Sequence, residues 1–253
     1  FFFKQKTAYE IVDCDWSSDV CSSDLGSELN GGIWGEAIRE VTPDGKLVWE
    51  WHSESLDIER YPICPLCPRF EFGHANSVCS LPNGDVMVSF RVNHLIFVID
   101  HATRKVKWEM CHPSLGHQHD FHGLPNGNYL VFANGAHAFG PGTVPGGGGG
   151  SRVLEIDPAT KEIVWQYFAS PGYLFNSPFI SGAQRLPTGN TLICEGNWGN
   201  LFEVTPSREI VWEYLNPFVV PMTETPDIAG AHLVFRAYRY AADSPEIRGR
   251  VAA

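Results

Sequence analysis

The segments IREVTPDGKLVWEW (residues 38–51), FVIDHATRKVKWEM (97–110), LEIDPATKEIVWQY (154–167) and FEVTPSREIVWEY (202–214) repeat one pattern. Each reads as a strand, a turn carrying Pro or a charged pair, and a second strand that reaches Trp49, Trp108, Trp165 or Trp212. A second motif, LPNG at 81–84 and 124–127 and LPTG at 186–189, precedes three of them, with Leu-to-Trp spacings of 27, 41 and 26 residues. The long middle spacing comes from the insertion GAHAFGPGTVPGGGGG (135–150). Pro-Asn-Gly and Pro-Thr-Gly suit tight turns because Gly accepts positive φ. In the last complete unit AQRL, NTLICEG, NLFEVT and EIVWEY predict four successive antiparallel strands. Four strands per repeat of about 40–60 residues is the pattern of a β-propeller. No unit contains a helix-length apolar period, which excludes coiled-coil and α/β folds. A β-sandwich would not require Trp at the same place in every unit. The expected fold class is all-β, a β-propeller of which about four to five blades lie in this chain. The recurring Trp is read as packing between blades, since it buries a large area.

Composition agrees with a globular β protein. Hydrophobic residues make up 43%, charged residues 19% and aromatic residues 13%, with 25 Gly and 18 Pro; this mixture favours strands and turns. The formal net charge of -11 argues against nucleic acid, whose phosphates need a basic surface. No apolar stretch is long enough to span a bilayer. The Gly run 146–150 has no following helix N-terminus to complete a phosphate loop and reads as a flexible hairpin tip.

The first 25 residues, FFFKQKTAYEIVDCDWSSDVCSSDL, show neither a strand nor a helix period and lack the regions of a signal peptide. KQKTAYEI and DWSSDVCSSDL look like translated sequencing-adapter DNA. The expected organisation is therefore a non-native, disordered segment 1–25 fused to an N-terminally truncated propeller, 26–253. Segment 1–25 holds two Lys and five acidic residues, which leaves a net charge of -8 for the remainder.

Of the seven Cys, Cys64, Cys67, Cys79, Cys111 and Cys194 lie outside that segment. Cys64 and Cys67 form a C-x-x-C in the Pro-rich loop YPICPLCPRF. A structural zinc site needs four ligands, usually from two such pairs, and one pair is present. A loop disulfide or plain thiols is the first expectation, ahead of a metal site or a redox role, and no metal residues are assigned.

Histidine is more informative. Seven of the ten lie at 74, 94, 112, 117, 119, 122 and 137. His74 opens GHANSVCSLPNG, and His117, His119 and His122 lie in GHQHDFHGLPNG. Both segments precede an LPNG turn, where the innermost strand of a blade borders the central channel. Alternation along a strand puts His117 and His119 on one face with Phe121, Asp120 and His122 on the other, and Asn76 on the face of His74. The imidazoles are expected to converge on an axial site suited to acid–base, nucleophilic or metal chemistry, or to pair with carboxylates and backbone in a polar channel. Arg185, Arg236 and Arg239 could supply positive charge for an oxyanion; Arg185 abuts the LPTG turn and is placed in the pocket with His74 and His119.

The stretches HANSVCSLPNGDVMVSFRVNHLIFVIDHATRKVKWEM (74–110), QHDFHGLPNGNYLVFANG (118–135) and FEVTPSREIVWEYLNP (202–217) resemble the bacterial arylsulfotransferase family. The resemblance covers about residues 28–245. It implies a six-bladed propeller that moves a sulfuryl group from an aryl sulfate ester to a phenol, with no cofactor and no nucleotide donor, in the periplasm or outside the cell. It implies catalytic roles for His74 and His119, with His232 as the later candidate, and substrate contacts from Asn76, His117, His122, Arg185 and Arg236. In this sequence NGAHAFG offers His137 where the family carries an arginine, and NSPFISGAQRLPTG has Ser181, Gln184 and Arg185 but no His. Two other readings stand beside transfer: a binding or scaffold propeller without turnover, and a metal-dependent hydrolase or lyase with His74 and His119 among its ligands.

Overall fold

The computed structural model describes the strands Glu10–Val12 and Ser22–Ser23 and residues 33–138, 150–219, 231–241, 244, 247 and 248. Three four-stranded antiparallel sheets follow one another along the chain, each ordered as its strands occur in sequence. The first is β6 (Ala75–Ser80), β7 (Val86–Phe90), β8 (Leu95–Ile99) and β9 (Val106–Cys111). The second is β10 (His119–Gly123), β11 (Tyr129–Ala133), β12 (Arg152–Ile156) and β13 (Ile163–Tyr167). The third is β14 (Gly182–Arg185), β15 (Thr191–Glu195), β16 (Asn200–Val204) and β17 (Ile210–Leu215). Ahead of them β4 (Ala37–Val41) pairs with β5 (Leu47–His52), the third and fourth strands of a further unit. β1 (Glu10–Val12) lies against β4, and β2 (Ser22–Ser23) against β3 (Ile33–Trp34). Most of segment 1–25, Trp16 included, lies outside the described residues.

Period-two alternation explains why these sheets stack as blades. On β7, Val86, Val88 and Phe90 join a core shared with β5, while Met87 joins the next core. On β8, Leu95, Phe97 and Ile99 face the first core, and Ile96 and Val98 the second. On β11, Tyr129, Val131 and Ala133 face the second core, and Leu130 and Phe132 a third shared with Phe175, Ile193 and Phe202. The middle strands are therefore apolar on both faces, and each sheet must be covered by two neighbours. That is the packing of a β-propeller. The rim strands read differently: Ile163, Val164, Ile210 and Val211 are exposed.

The repeated Trp joins blade to blade. Trp49 Nε1 donates to the carbonyl of His101, Trp108 Nε1 to that of Pro158 and Trp165 Nε1 to that of Pro206, at 2.8, 2.8 and 2.9 Å. Each acceptor opens the turn between the third and fourth strands of the following blade. The indole thus buries its rings between sheets and satisfies its one donor on the neighbour's turn. A second clamp repeats beside it. Glu40 meets His101 at 2.8 Å, Glu155 meets Arg185 at 2.8 Å, and Glu203 meets Arg239. Arg185 and Arg239 stack over Trp165 and Trp212. Residues 231–241 accordingly lie along the third sheet as an inner strand would, with the Gln184 side chain bonding the backbone of Arg239 at 2.6 and 3.0 Å.

Candidate functional site

The innermost strands β6, β10 and β14 start at one end of the blades, and the histidines gather there. Counted back from the Leu of each LPNG turn, His74 and His117 are equivalent, and both hold a left-handed backbone, φ 52° and 61°. Each follows a glycine and stands just outside its strand, so strand alternation does not extend to it. Asp120, at φ 54°, marks a register break in β10 between His119 and His122. These departures set where each side chain goes.

His117 and His119 therefore part. His117 is fully buried, with Nε2 at 3.2 Å from Cys67 Sγ and its ring edge-on to His137. Burial pushes it down to about 2. His119 Nδ1 lies 3.0 Å from the His117 carbonyl and 2.8 Å from Asn134 Oδ1, and its ring meets Phe235 edge-on. Asn134 donates its amide to the carbonyls of Ser177 and Ile180, which fixes Oδ1 as the acceptor for His119. Burial pushes His119 down to about 4. His74 instead holds Glu71, with both carboxylate oxygens at 3.1 Å. His232 bonds the carbonyl of Asn216 at 2.9 Å, beside the β15–β16 turn.

Asp120 is the convergence point. Only 2% exposed, its Oδ2 accepts the Ala183 N–H at 3.0 Å, and its Oδ1 accepts the Tyr238 hydroxyl at 2.6 Å. Arg236 Nη1 stands 3.3 Å from Oδ1, and His122 Nδ1 3.7 Å. Arg236 Nη2 donates to the Asn76 carbonyl, and Asn76 donates to that of Gln118. Arg236 Nε is buried without a partner among the described residues. Burial is the largest influence and opposes the guanidinium charge, but Asp120, Tyr238 and Cys79 together hold the group above its usual value. Burial and the Asp120 charge together keep the Tyr238 phenol protonated well above its usual range. Tyr238 escaped sequence reasoning because nothing in AHLVFRAYRY signals a partner on β10.

Asp120 and His122 meet at 3.7 Å, and Arg236 joins them while donating to the Asn76 carbonyl. Arg185 is a correction: it bonds Glu155 and Thr191 and covers Trp165, because buried Glu155 needs a counter-charge at the blade interface. His74 is held by Glu71, and His119 by Asn134. The Cys64–Cys67 pair is expected from the sequence as a loop disulfide or plain thiols, with no metal residues assigned. Cys64 and Cys67 are free thiols, and the ligand atoms of Cys64, Cys67, His117 and His137 all lie within 4.8 Å of one another. The two residues that meet the C-x-x-C pair are histidines drawn from another blade, which a search for a second C-x-x-C misses. Neither His74 nor His119 belongs to this group.

No curated protein matches the sequence. Among solved structures, a protein of unknown function from Bacteroides caccae is 18% identical, with 75% of this chain and 56% of that one covered and a TM-score of 0.48. Virginiamycin B lyase from Staphylococcus aureus is 15% identical, with 83% and 60% covered and a TM-score of 0.45. A streptogramin B lyase is 11% identical over the same shares, with a TM-score of 0.48. The chain spans 56–60% of the length of these proteins. Among the described residues no helix is long and apolar enough to cross a membrane, which says nothing of a β-barrel. The arylsulfotransferase (ASST) family matches residues 68–217, more than half of the sequence, and the chain belongs to that family.

Proposed function

We propose that this protein moves a sulfuryl group from an aryl sulfate ester to a phenol at the site around Asp120, in the periplasm or outside the cell. Family membership supports the reaction class. The observation that carries the site is the meeting of imidazole, guanidinium and phenol on one buried carboxylate.

His122 is the residue best prepared for the transfer. Its Nδ1 lies 3.1 Å from the Asp120 carbonyl, which can only accept, so Nδ1 carries the hydrogen and Nε2 keeps a lone pair. In the proposed step Nε2 attacks sulfur, the S–N bond forms, and the S–O bond to the aryl group breaks with its electron pair left on the phenolate. The positive charge that develops on the ring is stabilised by the Asp120 carboxylate. A second phenol then attacks sulfur, loses its proton to solvent, and releases neutral His122. Arg236 favours the sulfate oxygens, since a guanidinium suits tetrahedral oxyanions.

Turnover of 4-nitrophenyl sulfate with phenol as acceptor tests the reading. His122→Ala should lower the rate roughly 10²-fold or more with an unchanged fold, and the wild-type protein quenched with donor should carry a sulfuryl mass increment on the peptide containing His122. Undiminished turnover in His122→Ala overturns the assignment. One observation favours a second reading, a binding propeller without turnover: Arg236 is already paired with Asp120. Calorimetric binding of the aryl sulfate in the absence of any turnover would select it.

A further inference from the structure

We propose that Cys64, Cys67, His117 and His137 form a closed, tetrahedral Cys2His2 site for a zinc-type divalent ion, which clamps the connection between β5 and β6 onto the blade formed by β10–β13. The four residues come from three separate segments. Cys64 and Cys67 lie in the connection between β5 and β6, His117 just before β10, and His137 in the loop after β11.

Distances favour one shared ion over separate contacts. Cys67 Sγ is 3.2 Å from His117 Nε2 and 3.6 Å from His137 Nδ1, and Cys64 Sγ is 3.8 Å from His137 Nδ1. Zn–S bonds of about 2.3 Å and Zn–N bonds of about 2.0–2.1 Å, set at tetrahedral angles, place S and N about 3.5 Å apart. The observed spacings bracket that value. A thiol has a single weak donor, so Cys67 can serve one of the two ring nitrogens it faces; an ion serves all four ligands.

The local backbone holds the ligands in place. The Cys67 N–H bonds the Cys64 carbonyl at 2.9 Å, and the Cys64 N–H bonds that of Val92 at 2.7 Å. Arg69 Nη1 donates to the carbonyls of Ile63 and Cys64. His117 and His137 both stand at positive φ, 61° and 53°, a costly conformation for non-glycine residues that persists where the surroundings impose it. His94 stacks on His117 with ring centroids 5.0 Å apart, and its Nδ1 accepts the His117 N–H. Cys64, Cys67 and His117 are buried. Two thiolates and two imidazoles fill a tetrahedral shell, so the site is structural and leaves no open position for substrate water. The softness of its ligands favours zinc over magnesium or calcium.

Metal content of the 253-residue chain, purified with a thiol reductant and then loaded with zinc and desalted, should approach one zinc per chain. Cobalt in place of zinc should give the intense visible bands of a tetrahedral site with thiolate ligands. His137→Ala, whose side chain is the least buried of the four, should weaken zinc binding more than about 100-fold, since loss of even an outer-shell partner costs 10–100-fold. Cys67→Ser should remove the thiolate-to-cobalt band, and both variants should keep the β-sheet circular dichroism spectrum at low temperature. Failure of the loaded wild-type protein to retain zinc overturns the proposal. So does zinc retained undiminished by His137→Ala, or a Cys64–Cys67 disulfide that persists after reduction and zinc loading. None of these readouts depends on sulfuryl transfer.

Discussion

The hydroxyl of Tyr238 donates to Oδ1 of Asp120 at 2.6 Å, across 118 residues of sequence. This bond and the Arg236 pair anchor residues 231–241 to the inner strand β10. Removing one partner of a buried pair leaves the other charge uncompensated, which costs about 3–5 kcal/mol. Asp120→Ala should therefore lower stability by that amount in urea unfolding. Tyr238→Phe, which removes one hydrogen bond and no charge, should cost about 1 kcal/mol. Equal losses in the two variants would contradict the central place given to Asp120.

The Trp bonds between blades allow an internal comparison. Trp108 is stacked on Phe121, edge-on to Tyr129 and bonded to Pro158. Trp108→Phe leaves the Pro158 carbonyl without its donor and shrinks the packed surface, at about 1–3 kcal/mol. Trp212 is 40% exposed, and Trp212→Phe should stay within about 0.5 kcal/mol. Thermal melts of both variants check the contrast.

Gly116 should tolerate no side chain. A Cβ there would meet the Gly135 Cα at 2.5 Å, and φ is 58°. Gly127, at φ 90°, has nothing within 4 Å of the same added atom. Gly127→Ala then carries only the strain of its backbone, about 1 kcal/mol, whereas Gly116→Ala must also push two backbones apart. Soluble yield and chemical denaturation of the pair should separate them clearly; similar behaviour would refute the close approach.

Acid should find a weak point at Asp85. Burial alone would raise its carboxyl, but the Lys107 ammonium, the His101 N–H and the Asn83 amide together hold it below the usual aspartate value. The unfolded chain titrates near about 3.9, so the stabilisation is fully present above that pH. It is lost as pH falls through the unfolded value to the lower folded one, because the unfolded chain binds its proton first. Asp85→Asn should flatten this acid limb when urea midpoints are followed downward from about pH 6. An unchanged slope would count against the Lys107 pairing.

The blades could be read from the sequence because their causes are local. Alternation in KLVWEW, the Gly of each LPNG or LPTG turn and the recurrence of Trp49, Trp108, Trp165 and Trp212 fix strands, turns and the face that packs. Asp120 and His122 come together at 3.7 Å, but across a register break in β10 that alternation does not encode. Alternation also failed at His74 and His117, which adopt left-handed backbones just outside the strands. Only the tertiary structure decided that His117 and His137 meet Cys64 and Cys67, that Arg185 clamps Glu155 at a blade interface, and that Tyr238 reaches Asp120. Those pairings join segments up to 118 residues apart, and they depend on the angle at which one blade packs on the next, a quantity that no local spacing of residues encodes.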